Sequence, residues 1–456
     1  MAKKNVAASA EDRLAAALVP AEEQPYPVPE NWVWAHGFAF LRPMESTRPS
    51  GERFSYIDID SVDNRRQVVT QPKKLLVSQA PSRASRMTHP GDTIFSMVRP
   101  YLKNIAYIDD SLAGVIASTG FFVCSPRSNV DSKYNYYMMT TKYVVDGLNT
   151  FMRGDNSPSI RADEILSFLY PLPPLPEQHR IVDRITSLFA KLEEAKEEAQ
   201  AIIDGYEDWK AAILHRAFTG ELTEDWRKNN KILLESWNTT PLVNLCVRIF
   251  DGPFGSNLKS DDYVESGVRV VRLENLKNLW FDDSKQSFVT EEKYHTIEAH
   301  TVFPTDLIMS TFIADEIKVC QMPEYIGYAV NKADCIGIRV ADSADKLFVL
   351  YYLSSKQTYN HLFSQLHGAT RPRVNTKQIK AIPVPIPTLS EQHEIVRRLD
   401  VLLRHEADIK SAAEDTLAQI ATLRQSILAR AFRGELGTND PTDEPAIELL
   451  KRTLKG

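Results

Sequence analysis

The sequence has 456 residues, of which 43% are hydrophobic and 25% are charged, and its formal net charge is −6 at pH 7. This length is sufficient for two or three domains with separate cores, and the composition is typical of a soluble globular protein. No stretch approaches the ~18 consecutive apolar residues of a membrane span, so an integral membrane protein is excluded. Taken alone, the net negative charge argues weakly against a nucleic-acid ligand.

The first 24 residues are expected to form a short amphipathic lead-in helix and not a signal peptide, because Glu11, Asp12 and Arg13 interrupt the apolar run. The cysteines show no CxxC pairing and no neighbouring histidines, which favours reduced thiols over a zinc site. We therefore expect a cytoplasmic protein. The cysteines are Cys124, Cys246, Cys320 and Cys335.

The segment 64–108 is positively charged, in contrast to the negative net charge of the whole chain. This stretch holds eight basic residues, and Asp92 is the only acid among them. Such a local excess of positive charge is what a surface that contacts phosphates needs. A solvated surface without a ligand is the alternative. The eight residues are Arg65, Arg66, Lys73, Lys74, Arg83, Arg86, Arg99 and Lys103.

The sequence contains an internal repeat. Glu177-Gln178-His179 recurs 214 positions later as Glu391-Gln392-His393, and the AFTGEL of 217–222 recurs as the AFRGEL of 431–436 at the same offset. Weaker matches at this offset extend upstream. The chain is therefore predicted to be a tandem duplication in which each copy has a diverged front segment and a better preserved back segment.

Both back segments are predicted to be long helices that pair antiparallel within the chain. Apolar residues recur at alternating spacings of four and three, which is the heptad pattern of a coiled coil. Helices packed singly on globular domains are the alternative. The predicted seam positions are Ile181, Ile185, Leu188, Leu192, Ala195, Ala199, Ile202, Tyr206, Trp209 and Ile213, then Ile395, Leu399, Leu402, Glu406, Ile409, Ala413, Thr416, Ile420, Leu423 and Ile427.

The predicted ends of these helices carry recognisable signals. Thr388 and Glu391 have the spacing of a capping box at the start of the second helix. Pro174 and Pro176 mark the same turn in the first copy. Gly220 and Gly434 are expected to end the two helices.

The front segments, 25–170 and 228–380, are predicted to be α+β, because strand-like runs alternate with helical ones and turn residues are dense. The predicted strands are Phe54–Ile59, Thr93–Met97, Val268–Leu273 and Leu307–Ser310, and the predicted helices lie near Tyr134–Asp146 and Lys346–Leu366. The FDGPFGS of 250–256 is interpreted as a turn and not as a cofactor loop, since it lacks a strand–glycine–helix context.

The second front segment has its own candidates for DNA contact. The segment 367–380 contains four basic residues and no acid. Arg and Lys can bond guanine edges or hold phosphates. The predicted DNA-binding residues of this front segment are Lys259, Arg272, Arg371, Arg373 and Lys377.

Catalytic motifs are largely missing. The sequence has no GxxxxGK[ST] phosphate loop and no Asn-Pro-Pro-Tyr or Asp-Pro-Pro-Tyr tetrapeptide. Asp306, Glu316 and Lys318 mimic the Asp…Glu-x-Lys pattern of metal-dependent nucleases, in which two carboxylates hold Mg²⁺. The first copy keeps only one carboxylate, Asp92, at the corresponding positions. The chain is therefore predicted to bind and not to catalyse, with no metal site.

Taken together, the PLPPLPEQHRIV of 171–182 and the PIPTLSEQHEIV of 385–396, the two GEL motifs and the GPFGSNLKSDDY of 252–263 resemble a DNA-specificity (S) subunit of a type I restriction–modification system. The resemblance covers the chain from about Tyr26 to Leu436. It implies an α+β fold with two tandem α/β target recognition domains, joined and separated by two long antiparallel coiled-coil helices in a pseudo-twofold internal repeat.

On this basis the chain is divided into a lead-in, two target recognition domains, two helical spacers and a flexible tail with a short helix. The resemblance implies a non-catalytic subunit that reads a bipartite, asymmetric target in double-stranded DNA. The alternative is a coiled-coil scaffold that binds proteins without reading DNA sequence. The segments are 1–24 (lead-in), 25–175 (domain 1), 176–227 (spacer), 228–387 (domain 2), 388–436 (spacer) and 437–456 (tail).

The resemblance also implies partners. Two modification subunits that methylate adenine, and through them two restriction subunits, are expected to bind the chain. No cofactor is expected on the chain itself, while S-adenosylmethionine, Mg²⁺ and ATP are expected on the partners. The expected partner-binding residues are the repeated ones, Glu177, Gln178, His179, Phe218, Glu391, Gln392, His393 and Phe432.

Overall fold

Two units make up the computed structural model, which describes residues 9–255, 257–366 and 372–455. Unit 1 comprises Met1–Ala199 and Asp415–Gly456, and unit 2 comprises Gln200–Glu414. The boundary between the units lies within both long helices. The predicted division into recognition domains and helical spacers stays a prediction.

The described residues form short helices around two long ones. The helices are α1 (Ala10–Ala17), α2 (Ser132–Met139), α3 (Lys142–Asn149), α4 (Ala162–Ser167), α5 (Leu175–Phe218), α6 (Glu224–Asn230), α7 (Glu291–Ile297), α8 (Lys346–Leu353), α9 (Lys356–Phe363), α10 (Thr376–Lys380), α11 (Leu389–Ala431) and α12 (Ala446–Lys455). Within this part of the chain no helix has both the length and the apolar character needed to cross a membrane.

Eleven strands lie in the described part of unit 1. They are β1 (Val33–His36), β2 (Arg53–Ile57), β3 (Val62–Asp63), β4 (Val68–Val69), β5 (Lys73–Leu76), β6 (Ala84–Met87), β7 (Thr93–Ser96), β8 (Ile105–Tyr107), β9 (Ile116–Ser118), β10 (Phe121–Cys124) and β11 (Leu169–Leu172). They form a four-stranded sheet in the order β5-β2-β9-β6, a three-stranded sheet β10-β7-β8, and the pairs β1-β11 and β3-β4.

Eleven more strands lie in unit 2. They are β12 (Asn238–Pro241), β13 (Cys246–Phe250), β14 (Tyr263–Val264), β15 (Val268–Val271), β16 (Phe288–Val289), β17 (Thr301–Val302), β18 (Leu307–Ile313), β19 (Ile317–Gln321), β20 (Ala329–Asn331), β21 (Cys335–Val340) and β22 (Pro383–Ile386). Their sheets have the orders β14-β16-β15-β20-β17 and β13-β21-β18-β19, with β12-β22 as a separate pair.

The two front segments share a core topology, to which unit 2 adds one edge strand in each of its two larger sheets. The parallel pair β2–β9 aligns Tyr56 with Ile116, and the parallel pair β15–β20 aligns Val270 with Val330, which are the same residues shifted by 214. The hairpins β7–β8 and β18–β19 correspond in the same way, as do the helix pairs α2–α3 and α8–α9. The duplication predicted from the back segments therefore extends through the fronts, and the predicted fold class is confirmed.

The predicted elements of the fronts are found with shifted ends. The structure has Arg53–Ile57, Thr93–Ser96, Val268–Val271 and Leu307–Ile313 in place of the four predicted strands. Each long predicted helical region is broken into two short helices, because Thr141 and Ser355 cap new helices with side-chain hydrogen bonds to the N–H groups of Val144 and Thr358.

The long helices pair antiparallel, as predicted. In unit 1, early residues of α5 such as Ile181 and Ile185 share a core with Leu428, Ala431 and Phe432 at the end of α11. In unit 2, late residues of α5 such as Ile213 share a core with Ile395 and Leu399 at the start of α11. Each unit thus contains the start of one long helix and the end of the other.

The predicted seam is wrong near the middle of each helix. Ile202 is 42% exposed, and its neighbour Ile203 is the half-buried residue. The equivalent shift occurs at Thr416, which is exposed beside the half-buried Leu417. Leu423 is also exposed, at 45%. An α-helix has 3.6 residues per turn, so a strict 3.5 spacing drifts by about 20° per heptad, and after three heptads the adjacent residue faces inward.

Each long helix starts with a buried glutamate. In unit 2, the Glu391 carboxylate accepts hydrogen bonds from Arg227 (2.6 Å), Thr223 (2.8 Å) and Trp237 (2.9 Å). The predicted capping box is therefore wrong, because the Glu391 side chain bonds these groups and not the backbone of Thr388. Gly220 (φ +82°) and Gly434 (φ +74°) follow the helix ends in left-handed conformations, which confirms both as stop signals.

In unit 1 the matching carboxylate, that of Glu177, is bound from both ends of the chain. It accepts hydrogen bonds from Trp32 (2.7 Å), Asn439 (2.9 Å) and Thr438 (3.4 Å). The lead-in helix and the short tail helix, both predicted, are confirmed as α1 and α12, and they pack on each other. The segment before α12 makes hydrogen bonds to unit 1, and the flexibility of the tail stays a prediction.

Replacing Arg227 with Met (R227M) should destabilise unit 2 strongly, because it leaves the fully buried Glu391 carboxylate without its counter-ion. Removing one partner of a buried ion pair costs about 3–5 kcal/mol. We expect a drop of this size in the free energy of unfolding, measured by denaturant titration.

The control is K228M, since the neighbouring Lys228 forms an exposed pair with Glu224 in α6 and should matter little. Equal effects of R227M and K228M would contradict the role assigned to Arg227.

Candidate nucleic-acid interface

In unit 2, Tyr263 is flanked by two cationic side chains. The Lys332 ammonium donates a hydrogen bond to the Tyr263 hydroxyl (3.0 Å) and lies 5.2 Å from the ring centroid, while the Arg272 guanidinium lies 5.5 Å from it. These three residues are named the Tyr263 cluster. Cations beside a half-buried aromatic ring can provide both phosphate contacts and stacking. Lys332 was not predicted, because it is a single lysine outside the acid-free runs.

The glycine-rich loop packs against this cluster. A Cβ atom on Gly252 would lie 2.1 Å from the carbonyl carbon of Lys332, so only glycine fits there. Beyond it Phe254 is 68% exposed, and the predicted DNA-binding residue Lys259 is exposed on the same loop. The Lys259 N–H donates to the Asp262 carboxylate (2.6 Å), which fixes the end of the loop.

Arg373 lies beside the same turn. Its guanidinium forms an ion pair with Asp334, two residues after Lys332, and lies 5.5 Å from the Phe312 ring. The structure therefore brings Arg272 and Arg373 to one turn, as a common interface requires. Lys377 is exposed in α10. Arg371, the remaining predicted residue of this front segment, lies outside the described residues.

The equivalent turn in unit 1, Ser118–Gly120, also has basic neighbours. The Thr119 N–H donates to the carbonyl of Arg83 (2.8 Å), and Arg86 lies opposite Ala117 in β6. Arg99 and Lys103 follow β7 on the next hairpin. Four of the eight predicted residues of unit 1 thus lie around this turn and the hairpin beside it.

The other four lie on separate parts of unit 1. Arg65 and Arg66 are exposed on the turn between β3 and β4, and Lys74 is exposed in β5. Lys73 forms an ion pair with Asp58, and this hydrogen bond raises the pKa of the Lys73 ammonium. The basic run of the sequence is therefore not one continuous patch, because β-strands and turns carry its residues to different edges.

Six of the eight expected partner-binding residues are buried, which corrects their assignment as surface contacts. Glu177, Gln178, Glu391 and Gln392 are at most 1% exposed, and Phe218 and Phe432 are at most 4% exposed. Gln178 accepts a hydrogen bond from the N–H of Asp131 (2.8 Å), and Gln392 accepts one from the N–H of Asp345 (2.8 Å). These side chains fasten the helix starts to the front segments.

The two repeated histidines do reach the surface. The side chains of His179 and His393 are 58% and 60% exposed. Their Nε2 atoms lie 3.7 Å from the Asp131 carboxylate and 3.5 Å from the Asp345 carboxylate, respectively. Among the eight expected residues, these two remain available for a partner contact.

The candidate nuclease site is not formed. The Asp306 carboxylate accepts two hydrogen bonds from Arg339 (2.9 and 2.7 Å) and one from the N–H of Phe303 (2.9 Å). It stands at the start of β18, while Glu316 and Lys318 lie at the opposite end of the β18–β19 hairpin. Asp306 is therefore a structural residue, and Asp92 takes the same role in unit 1 by accepting the His89 N–H (2.8 Å).

Metal-ligand chemistry is likewise unsupported in the described part of the chain. Within it, no group of three or more His, Cys, Asp or Glu side chains is arranged to hold a metal ion. The four cysteines are free thiols, and burial raises the pKa of both Cys246 and Cys320 to about 12. Since the thiolate is the form that binds metals, these cysteines are poor ligands.

Comparison with known proteins gives a consistent result. A family model described as the type I restriction modification DNA specificity domain matches residues 49–201 and 256–419. The EcoBI specificity subunit of Escherichia coli is 28% identical over 287 residues, which cover 61% of this chain and 60% of that protein. The EcoDI specificity subunit of the same species is 28% identical over 310 residues, covering 64% and 68%.

Solved structures match a larger share of this chain than these sequence relatives do. The HsdS subunit from Thermoanaerobacter tengcongensis has a TM-score of 0.68 and 26% identity, and the match covers 91% of this chain and 100% of that one. A chain from a structure described as the basis of complex assembly and conformational transition of the type I R-M system has a TM-score of 0.67 and 26% identity, covering 90% and 100%.

The buried glutamate of unit 1 should make stability depend on pH. Burial raises the pKa of the Glu177 carboxyl above its ordinary value of 4.5, although hydrogen bonds from Trp32 and Asn439 oppose this. The folded state therefore binds this proton more tightly than the unfolded state. Its contribution to the free energy of unfolding is greatest at low pH and falls as pH rises from about 4.5 through the raised pKa.

The variant E177Q should lack this fall, as measured by unfolding titrations at a series of pH values. E194Q, at an exposed position of the same helix, should keep the wild-type profile. Parallel profiles for E177Q and the wild type would contradict the assignment.

Proposed function

The chain belongs to the type I restriction modification DNA specificity family, and we propose that it is the subunit that gives such a complex its DNA sequence specificity. In this role the front segments of units 1 and 2 each read one half of a bipartite, asymmetric target in double-stranded DNA. The long helices hold the two readers a fixed number of base pairs apart. The chain itself catalyses nothing.

One observation carries this proposal. The two front segments have the same core topology and a matching register in their parallel strand pair, yet the surfaces around their equivalent turns differ. The turn of unit 2 carries Lys332 of the Tyr263 cluster, while that of unit 1 is flanked by Arg83 and Arg99. One fold used twice with different side chains is what the recognition of two unlike half-sites requires.

The proposal extends to the partners. Two modification subunits, which use S-adenosylmethionine to methylate adenine, would bind the pseudo-twofold helix starts, where His179 and His393 are exposed. Restriction subunits that use Mg²⁺ and ATP would join through them. All of these cofactors belong to the partners, and the complex would act on DNA in the cytoplasm.

A protein-binding scaffold is the competing function. It would use the same rod of paired helices, but its front segments would bind proteins and would not distinguish DNA sequences. The Tyr263 cluster favours DNA, because its cations flank an aromatic ring and Arg373 lies beside the turn that carries Lys332. The two functions differ in whether binding depends on DNA sequence and on salt.

The test is a map of methylated adenines in cells that carry this gene with a modification subunit, compared with cells that lack the gene. A split motif that disappears on deletion is expected. An unchanged map, with the modification subunit present and active, would favour the scaffold.

Alanine substitution in the Tyr263 cluster should affect one half-site only. R272A and K332A should each weaken binding of the assembled complex to the half read by unit 2, by about 1–3 kcal/mol for a base contact. A phosphate contact would instead lower the slope of log affinity against log salt by about one. Competition with duplexes altered in one half at a time measures both quantities.

K228A is the matched control, because Lys228 is an exposed lysine of unit 2 that pairs with Glu224 in α6. Equal losses at both half-sites would contradict separate readers.

A further inference from the structure

A narrow hairpin tip joins β7 and β8 in unit 1. Residues Arg99–Lys103, named here the 99–103 tip, form a single 3-10 turn in which Pro100 is buried. The turn packs against α3, and Tyr101 and Leu102 are 45% and 39% exposed. Two large apolar side chains therefore stand side by side at the end of a strand pair, with a basic residue on each side of them.

The tip is held rigidly in an unusual conformation. Arg99 (φ +49°) and Lys103 (φ +58°) both adopt the left-handed conformation that side chains other than glycine rarely take. The Arg99 N–H donates to the carbonyl of Pro158 (2.7 Å), and the Lys103 N–H closes the turn on the carbonyl of Pro100 (2.9 Å). Such strain persists only where the surrounding structure enforces it, and it concentrates at functional sites.

The hydrogen bond that holds the Arg99 side chain does not neutralise the positive charge of the tip. The Arg99 guanidinium donates to the backbone carbonyl of Asn156 (2.8 Å), an uncharged group. The contact orients Arg99 without cancelling its charge. The tip thus combines an apolar point with flanking cations, which are the two components that proteins use to insert a side chain between base pairs while holding the phosphates.

The duplication provides an internal comparison. The residues of unit 2 that correspond to Pro100–Leu102 are Ala314, Asp315 and Glu316, at the tip between β18 and β19. All three are exposed, and two of them are acidic. A tip of this kind would be repelled by phosphates, so the same hairpin cannot serve both units in the same way.

We propose that the 99–103 tip inserts Tyr101 and Leu102 as a wedge at a base-pair step in the minor groove of the half-site read by unit 1. Arg99 and Lys103 contact the flanking phosphates. The wedge partly unstacks the step and bends the duplex, whereas unit 2 binds its half-site without a wedge. This proposal rests on the proposed DNA-reading function and specifies how one of the two readers performs it.

The experiment uses the complete complex with a modification subunit and a duplex that contains the target found by methylation mapping. 2-Aminopurine is placed at successive positions through both half-sites, because its fluorescence rises when it is unstacked. We expect a rise confined to one step of the half read by unit 1. The double variant Y101A/L102A should abolish this rise and lower affinity for that half on the order of tenfold.

The matched control is D315A/E316A, at the equivalent tip of unit 2, which should leave the fluorescence rise unchanged. Y101F/L102M, which keeps the apolar volume, should retain both the rise and the affinity. Retention by this variant separates a loss of the wedge from a loss of folding, and the assembly of each variant complex is checked by its sedimentation.

The outcomes distinguish the two proposals. Sequence-specific binding by the wild type with no fluorescence rise, or a rise that survives Y101A/L102A, would overturn the wedge and leave the DNA-reading function in place. Binding that does not distinguish the target from unrelated DNA would overturn the function itself.

Discussion

The buried glutamate and glutamine at the start of each long helix constrain the rest of the structure. Glu177 and Gln178 lie at 0% exposure, where the carboxylate is costly to bury and must find donors. Its donors come from the segments flanking the front, and the amide of Gln178 bonds the residue that caps α2. Helix, front segment and flanking segment are therefore fixed together at one point. The direction in which the helix leaves its front segment follows from these hydrogen bonds.

The two units meet this constraint with different chemistry. In unit 2 a continuous segment supplies Arg227 and Trp237, so the carboxylate of Glu391 has a charged partner. In unit 1 the equivalent segment is divided between the two ends of the chain. The groups that donate hydrogen bonds to Glu177 are neutral, and they include Trp32 and Asn439. A charge with neutral donors is less well compensated, which is why burial raises the pKa of Glu177. The lead-in and the tail, which lie outside the repeat, complete unit 1.

The repeat and the periodicity of the helices were predictable because both depend on regular spacing. The burial of Glu177 and Gln178 was not predictable, since a repeated polar motif suggests a surface, and only the fold brings Trp32 and Asn439 to it. The predicted seam is wrong at Ile202 because the angular drift of an α-helix relative to a strict heptad repeat accumulates with helix length. At the candidate interface, Arg373 was found from local charge. Lys332 was missed because its neighbours, Tyr263 among them, are distant in sequence.

Duplication with a fixed scaffold explains how the two fronts can differ at their surfaces. The strands β7 and β18 occupy equivalent places, and Asp92 and Asp306 fix the turns before them through equivalent hydrogen bonds. Beyond those strands, the hairpin tips diverge at exposed side chains, although Pro100 of the first tip is buried. One has become apolar and basic around Tyr101, and the other has become acidic around Asp315. A chain built in this way can change what one half contacts without disturbing the anchoring of either helix, since the residues that anchor the helices are buried and those that diverge are exposed.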